Sequence, residues 1–198
     1  GLAAYDGFVV LGGPMGANDD ARHPWLAPVK ELVREARDVG LPTLGICLGH
    51  QLVAVALGGS VVVNPHGQQV GLLGVGWTDA AREDRLFGPL SWPRRAVQWN
   101  DDVVDELPGD ATLLAATARD EVQVVRYAPL VWGVQLHPEV DVPVLEPWAD
   151  SDRGSHETRG IDTDALLRDI HAAREELDEA WRPLATGFAA LVEEHARG

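Results

Sequence analysis

Leu44-Gly45-Ile46-Cys47-Leu48-Gly49-His50-Gln51 carries the most structural information in this chain. Leu41 to Ile46 reads as a buried strand, and Leu48 to Leu57 as a helix that stops at Gly58-Gly59. Glycines two residues before and two after Cys47 allow the backbone to turn sharply from one into the other. That is the thiol form of a nucleophile elbow. It places a sulfur at the carboxyl end of a strand and the amino end of a helix, where the helix field favours the reactive thiolate. The next backbone N–H, that of Leu48, is then placed to donate to an oxyanion. A lone cysteine is more often a small apolar core residue. The paired glycines at a strand-to-helix junction are what favour the elbow.

Outward from this junction the chain alternates short apolar runs with helical periodicity, the pattern of an α/β domain. Upstream, Phe8 to Leu11 is a strand ended by the turn Gly12-Gly13-Pro14. Val29, Leu32, Val33, Ala36 and Val39 share one helical face, and Gly40 and Pro42 stop that helix. Downstream, residues 60–77 suggest strands broken by tight turns, and Arg95 to Trp99 another strand. Ala111 to Ala118, Val122 to Tyr127 and Leu130 to Leu136 predict an antiparallel extension of the sheet. Asp150 to Gly160 is polar and reads as an exposed loop. From Asp162 a helix carries Leu166, Ile170, Ala173, Leu177 and Trp181 on one face; Pro183 is expected to interrupt it before a second stripe from Leu184 to Val192. Arg174 and Asp178 are spaced to pair on its solvated side.

A thiol nucleophile needs a base and a group to orient that base. His137-Pro138-Glu139 follows directly on the strand ending at Leu136. Strand ends of one sense gather at one edge of a parallel sheet, where sites form. The spacing of two lets Glu139 bond the outer ring nitrogen of His137 while the inner one faces Cys47. The other histidines show no ligand spacing with cysteine or carboxylates, so no metal is expected. Gly12-Gly13 lacks the Lys-Ser/Thr of a phosphate loop, and no motif calls for a cofactor. Of seven tryptophans, Trp99 alone is expected near the site.

Composition bounds the remaining possibilities. The chain has 198 residues, 45% of them hydrophobic, with 16 Lys+Arg, 31 Asp+Glu and a formal charge of −15. An acidic surface argues against nucleic acid and anionic membranes as partners. No apolar run is long enough to span a bilayer. One cysteine makes no internal disulfide, so a cytoplasmic setting is the default expectation.

Taken in order, the Gly-Gly-Pro turn, GICLGHQ and GVQLHPE resemble the class I (triad) glutamine amidotransferase domain, as found in GMP synthase and in free-standing relatives. The likeness spans about residues 6–140. It implies a flavodoxin-like fold: an open, mostly parallel sheet flanked by helices, with an antiparallel extension and a helical C-terminal tail. The domain is expected over residues 1–145, with 146–198 a polar loop and helices packed on or extending it. The resemblance also implies Cys47 as nucleophile, His137 as base and then acid, Glu139 as orienting carboxylate, and Gly13 and Leu48 as the oxyanion hole. Gln51 matches the position that contacts glutamine, and Trp99 and Asn100 fall in the loop that touches the substrate.

In this scheme glutamine is hydrolysed to glutamate and ammonia through a γ-glutamyl thioester, and the ammonia passes to a synthase domain or subunit. Two departures stand out. Asn100-Asp101 replaces the His-Gly of a Trp-His-Gly-Asp-like loop, and the strand and helix that normally precede the equivalent of Phe8 are not found. The second leads to the expectation that the sequence begins inside a longer protein. Two alternatives stay open: a γ-glutamyl hydrolase acting on γ-glutamyl amines or peptides, and a catalytically inactive binding module.

Overall fold

A computed structural model describes residues 1–197 of the chain. Six strands form its main sheet, in the order β1 (Phe8–Val10), β2 (Thr43–Ile46), β10 (Val131–Val134), β9 (Val122–Ala128), β8 (Thr112–Ala116) and β5 (Gly76–Trp77). β1, β2 and β10 run parallel to one another. From β10 outward every pairing is antiparallel, as the sequence predicts for the extension. Two antiparallel ribbons stand beside this sheet: β3 (Ser60–Val63) with β7 (Asp102–Glu106), and β4 (Gln69–Gly74) with β6 (Arg95–Asn100). Asp102 to Glu106 is a strand that local sequence pattern does not reveal.

Successive side chains of a strand point to opposite faces, and the buried residues sort accordingly. Val125 and Val131 join Leu26 and Val33 of α1 (Leu26–Asp38) and Leu52 and Val53 of α2 (Leu48–Ala56) on one face. Val124, Trp132 and Val134 join Trp181, Leu184, Phe188 and Leu191 of α5 (Arg174–His195) on the other. A smaller cluster packs α3 (Val142–Arg159) and α4 (Thr163–Ala172) against Val97 and Trp99 of β6. None of the described helices is long and apolar enough to cross a membrane.

Three expectations fail in the C-terminal third. Asp150 to Gly160 is not a loop: residues 150–159 are the second half of α3. Asp141 caps that helix by accepting the Val144 N–H, and Gly160 ends it in the left-handed region at φ 72°. His156, fully buried, holds the polar half down through Thr163 Oγ1 at 2.8 Å and Gln68 Oε1 at 3.2 Å. These tertiary bonds outweigh the weak local preference of a Ser/Asp/Gly-rich segment.

The helical break also falls elsewhere, at Ala173, which is both the last cap of α4 and the first of α5. α5 runs through Pro183 because its stripe from Trp181 to Leu191 is buried against the sheet. Beside the proline, the Arg94 guanidinium donates to the Ala180 carbonyl. Asp178 pairs with Arg182 instead of Arg174.

Candidate active site

The junction between β2 and α2 is as tight as its glycines imply. Cys47 sits at φ 51°, ψ −109°, a left-handed conformation that non-glycine residues rarely adopt. Such an outlier persists only where the surroundings hold it. A Cβ on Gly45 would lie 2.6 Å from the Gly49 carbonyl group, and one on Gly49 only 1.9 Å from the Val10 carbonyl oxygen. Both positions therefore require glycine so that α2 can lie against β1 and β2. Cys47 is buried, and its own N–H is bonded to the Val134 carbonyl, which ties the elbow to β10.

β10 brings the histidine. His137 lies three residues beyond the strand end, with its N–H on the Val97 carbonyl at 2.8 Å. Its Nδ1 is 2.8 Å from Glu139 Oε1, which leaves Nε2 for Cys47. Burial acts to lower the pKa of His137, but hydrogen bonds and charge from Cys47 and Glu139 outweigh it and push the value up to about 10. Both partners favour the protonated ring, which sits between a sulfur and a carboxylate. Gly12 completes the contact: a Cβ there would fall 3.2 Å from His137 Cε1 and 3.5 Å from Cys47 Cβ.

A cavity of ≈620 Å3 opens on these groups, lined by Gly12, Gly13, Cys47, Gln51 and His137 on one side and by Trp99, Asn100, Asp101 and Asp102 on another. Of the predicted residues, Leu48 lies buried at the start of α2, behind the lining. Among the described residues, neither the Gly13 nor the Leu48 N–H is used in a backbone hydrogen bond. Asn100 donates both to Gln69 Oε1 and to the Asp102 carbonyl, each at 3.0 Å, so its amide hydrogens brace the loop and do not reach into the cavity.

The third wall comes from α3, where the sequence suggests only a loop. Pro147, Trp148, Ser151 and Asp152 line the cavity, and the Trp148 ring lies 5.0 Å from that of His137 at an angle of 58°. Trp99 is therefore not the only tryptophan at the site. Asp152 accepts from Trp99 Nε1 at 2.8 Å and from Gln68 Nε2 at 3.2 Å, which locks helix to strand. One signal for this wall is present in the sequence. Val142, Leu145 and Ala149 recur at i, i+3 and i+7 ahead of the polar run.

The cavity is acidic: Asp101, Asp102 and Asp152 line it, and no Lys or Arg does. Burial, then the nearby charges of Asp101 and Asp19, raise the pKa of Asp102. Next to the elbow, burial depresses His50 to about 3 and pushes Tyr127 well above its usual value. The two touch at 3.3 Å, and His50 Nε2 has no hydrogen-bond partner among the described residues. A second cavity of ≈530 Å3 lies on the other side of His137 and Glu139, against Leu177 and Trp181 of α5.

Residues 2–145 match the family model "Glutamine amidotransferase class-I". The chain is 33% identical over 146 residues to gamma-glutamyl peptidase 5 of Arabidopsis thaliana, covering 73% of this chain and 57% of that protein. It thus spans little more than half the length of that relative. To a glutamine-hydrolyzing GMP synthase subunit of Saccharolobus solfataricus it is 32% identical over 142 residues, 70% of each chain. A crystal structure of a glutamine amidotransferase from Thermotoga maritima superposes with a TM-score of 0.80 at 29% identity, over 93% of this chain and 78% of that one.

Proposed function

This chain belongs to the class-I glutamine amidotransferase family, and we propose that it hydrolyses the side-chain amide of glutamine, or of a γ-glutamyl compound, through a thioester on Cys47. The observation that carries the reading is the elbow cysteine beside a histidine whose other ring nitrogen is 2.8 Å from Glu139. The Cys47 thiolate attacks the amide carbon, and the N–H groups of Leu48 and Gly13 receive the developing oxyanion. His137 gives its proton to the leaving nitrogen as the C–N bond breaks, so ammonia departs and a γ-glutamyl thioester remains. His137, now neutral, takes a proton from water. The hydroxide so generated attacks the thioester, and glutamate and the Cys47 thiolate are released. Glu139 keeps the imidazole oriented throughout.

We assign this chemistry to a domain over residues 1–145, with the described residues 146–197 supplying the outer wall of the cavity and the helices on the far face of the sheet. A synthase domain or subunit is the acceptor of ammonia in this scheme, in a cytoplasmic setting that keeps the thiol reduced.

The volume favours a second substrate class alongside glutamine itself. A cavity of ≈620 Å3 falls in the range that encloses drug-sized ligands, which leaves room for a group beyond the γ-glutamyl amide. That fits the likeness to a gamma-glutamyl peptidase. The test is to incubate the protein with glutamine and, separately, with γ-glutamyl peptides, quench in acid and weigh the intact chain. A γ-glutamyl adduct on the peptide containing Cys47 is expected with at least one of them. Absence of adduct and of turnover with both would sink the reading and leave a binding module.

A further inference from the structure

Gln135 is fully buried and precedes His137 by two positions, so the two side chains leave the extended segment after β10 on the same side. Its amide lies between two groups of the site. Gln51 Nε2 donates to Gln135 Oε1 at 3.2 Å, and Gln135 Nε2 stands 3.6 Å from Cys47 Sγ. The same Gln51 amide nitrogen donates to the backbone carbonyl of Asp102 at 3.0 Å.

That carbonyl decides which way the whole chain of amides points. A backbone oxygen only accepts, so Gln51 must turn its NH2 toward Asp102. The NH2 then also faces Gln135, which must answer with its oxygen, and this leaves the Gln135 NH2 toward sulfur. Asn100 Nδ2 adds a second donor to the same carbonyl at 3.0 Å and holds it in place. The polarity at the sulfur is therefore set by a backbone atom two amides away.

We propose that Gln135 is a positioning residue for the nucleophile: its side-chain amide donates an N–H to Cys47 Sγ and favours the thiolate, with its orientation imposed by the Asp102 carbonyl through Gln51. This deepens the proposed mechanism and rests on Cys47 being the nucleophile, but its test needs no turnover. A thiolate is the better acceptor, and hydrogen bonds to charged groups are the stronger ones. The ionisable groups lining the cavity with the sulfur are His137, Asp101, Asp102 and Asp152 of α3, with Glu139 behind His137 and His50 next to the elbow on α2. None of them is altered by changing Gln135.

Cys47 is the only cysteine, so iodoacetamide labels one thiol and its rate against pH reports the thiolate directly. Gln135→Met keeps the length of the side chain and removes the donor. The alkylation midpoint is expected to rise by about one pH unit, and kcat below that midpoint to fall about tenfold with KM little changed. Gln135→Glu, which offers only acceptors when ionised, is expected to raise the midpoint further. A folded Gln135→Met protein with the wild-type alkylation midpoint overturns the proposal. In 15N-labelled wild type, the Gln135 side-chain amide protons are expected to titrate with the alkylation midpoint. This measurement stands even if the variants do not fold, and amide protons that fail to titrate overturn the proposal equally. A wild type that alkylates as expected yet turns over no glutamine or γ-glutamyl peptide would count against the proposed function alone.

Discussion

The cavity has two kinds of wall. On one side stands the elbow, β2 to α2, where close backbone contacts at Gly45 and Gly49 shape the turn between strand and helix. On the other stands α3, where Pro147, Trp148, Ser151 and Asp152 reach the cavity from a helix with a proline inside and a polar second half. The elbow is held by contacts so close that only glycine fits, between backbone atoms four residues apart or between α2 and β1. α3 is held by bonds to distant residues: Asp152 to Trp99 and Gln68, and His156 to Gln68. The first wall has no room for added atoms, while the second meets the site through side chains, among them the Trp148 ring on His137.

Substitutions on each side break this contrast at different points. The largest effect is expected at Cys47: Cys47→Ala should lower kcat on the order of 10^4-fold or more, since no other thiol is present to replace it. Steady-state turnover of whichever substrate forms the thioester checks this. Next comes Gly49→Ala, which puts a methyl carbon 1.9 Å from the Val10 carbonyl oxygen. It should cost about 3 kcal/mol and lower Tm by roughly 10 °C, read by thermal unfolding. A wild-type Tm would show that the elbow has more slack than its geometry implies.

Glu139→Gln is milder, because a neutral partner still orients the ring; kcat should fall about 10- to 100-fold. The same variant sharpens the pH behaviour. His137 has its pKa raised from 6.5 to about 10, so its contribution to stability is complete below 6.5 and is lost as pH rises through about 10. Removing the carboxylate should flatten that alkaline loss in denaturant unfolding followed at successive pH values. His50 acts with the opposite sign in the same series. Burial depresses it from 6.5 to about 3, so its contribution is present above 6.5 and is lost as pH falls toward 3.

The smallest effect belongs to the α3 wall. Asp152→Ala removes the acceptor for Trp99 and Gln68, and should raise KM roughly threefold with kcat nearly unchanged and a folding cost of about 1 kcal/mol. A fall in kcat as large as that of Glu139→Gln would mean that the two walls are not separable.

The parallel half of the sheet and the placing of Cys47 at its edge follow from runs of residues adjacent in sequence. Glycine spacing and apolar periodicity are local codes, and no partner strand is needed to see them. The antiparallel strands β8 and β9 are legible for the same reason, as β-branched runs bounded by turns. β7 is missed because Asp102 to Glu106 carries three acids in five residues, and its pairing with β3 decides its state. The break at Ala173 is missed because Pro183 is the stronger local signal, yet the buried stripe of α5 overrides it.

The class of fold, the strand-to-helix turn at Cys47 and the His137-Glu139 pair are all written in neighbours two to four residues apart, and the amino-acid order is enough to state them. Three further features belong to the folded chain alone: the helical state of residues 150–159, the packing of Trp148 on His137, and the turn of the Gln135 N–H toward the sulfur. Each of these rests on contacts across 53 to 88 positions of chain or on a ring packed from another element. Bonds of that kind leave no period in the sequence. They exist only once burial has removed water as the competing partner.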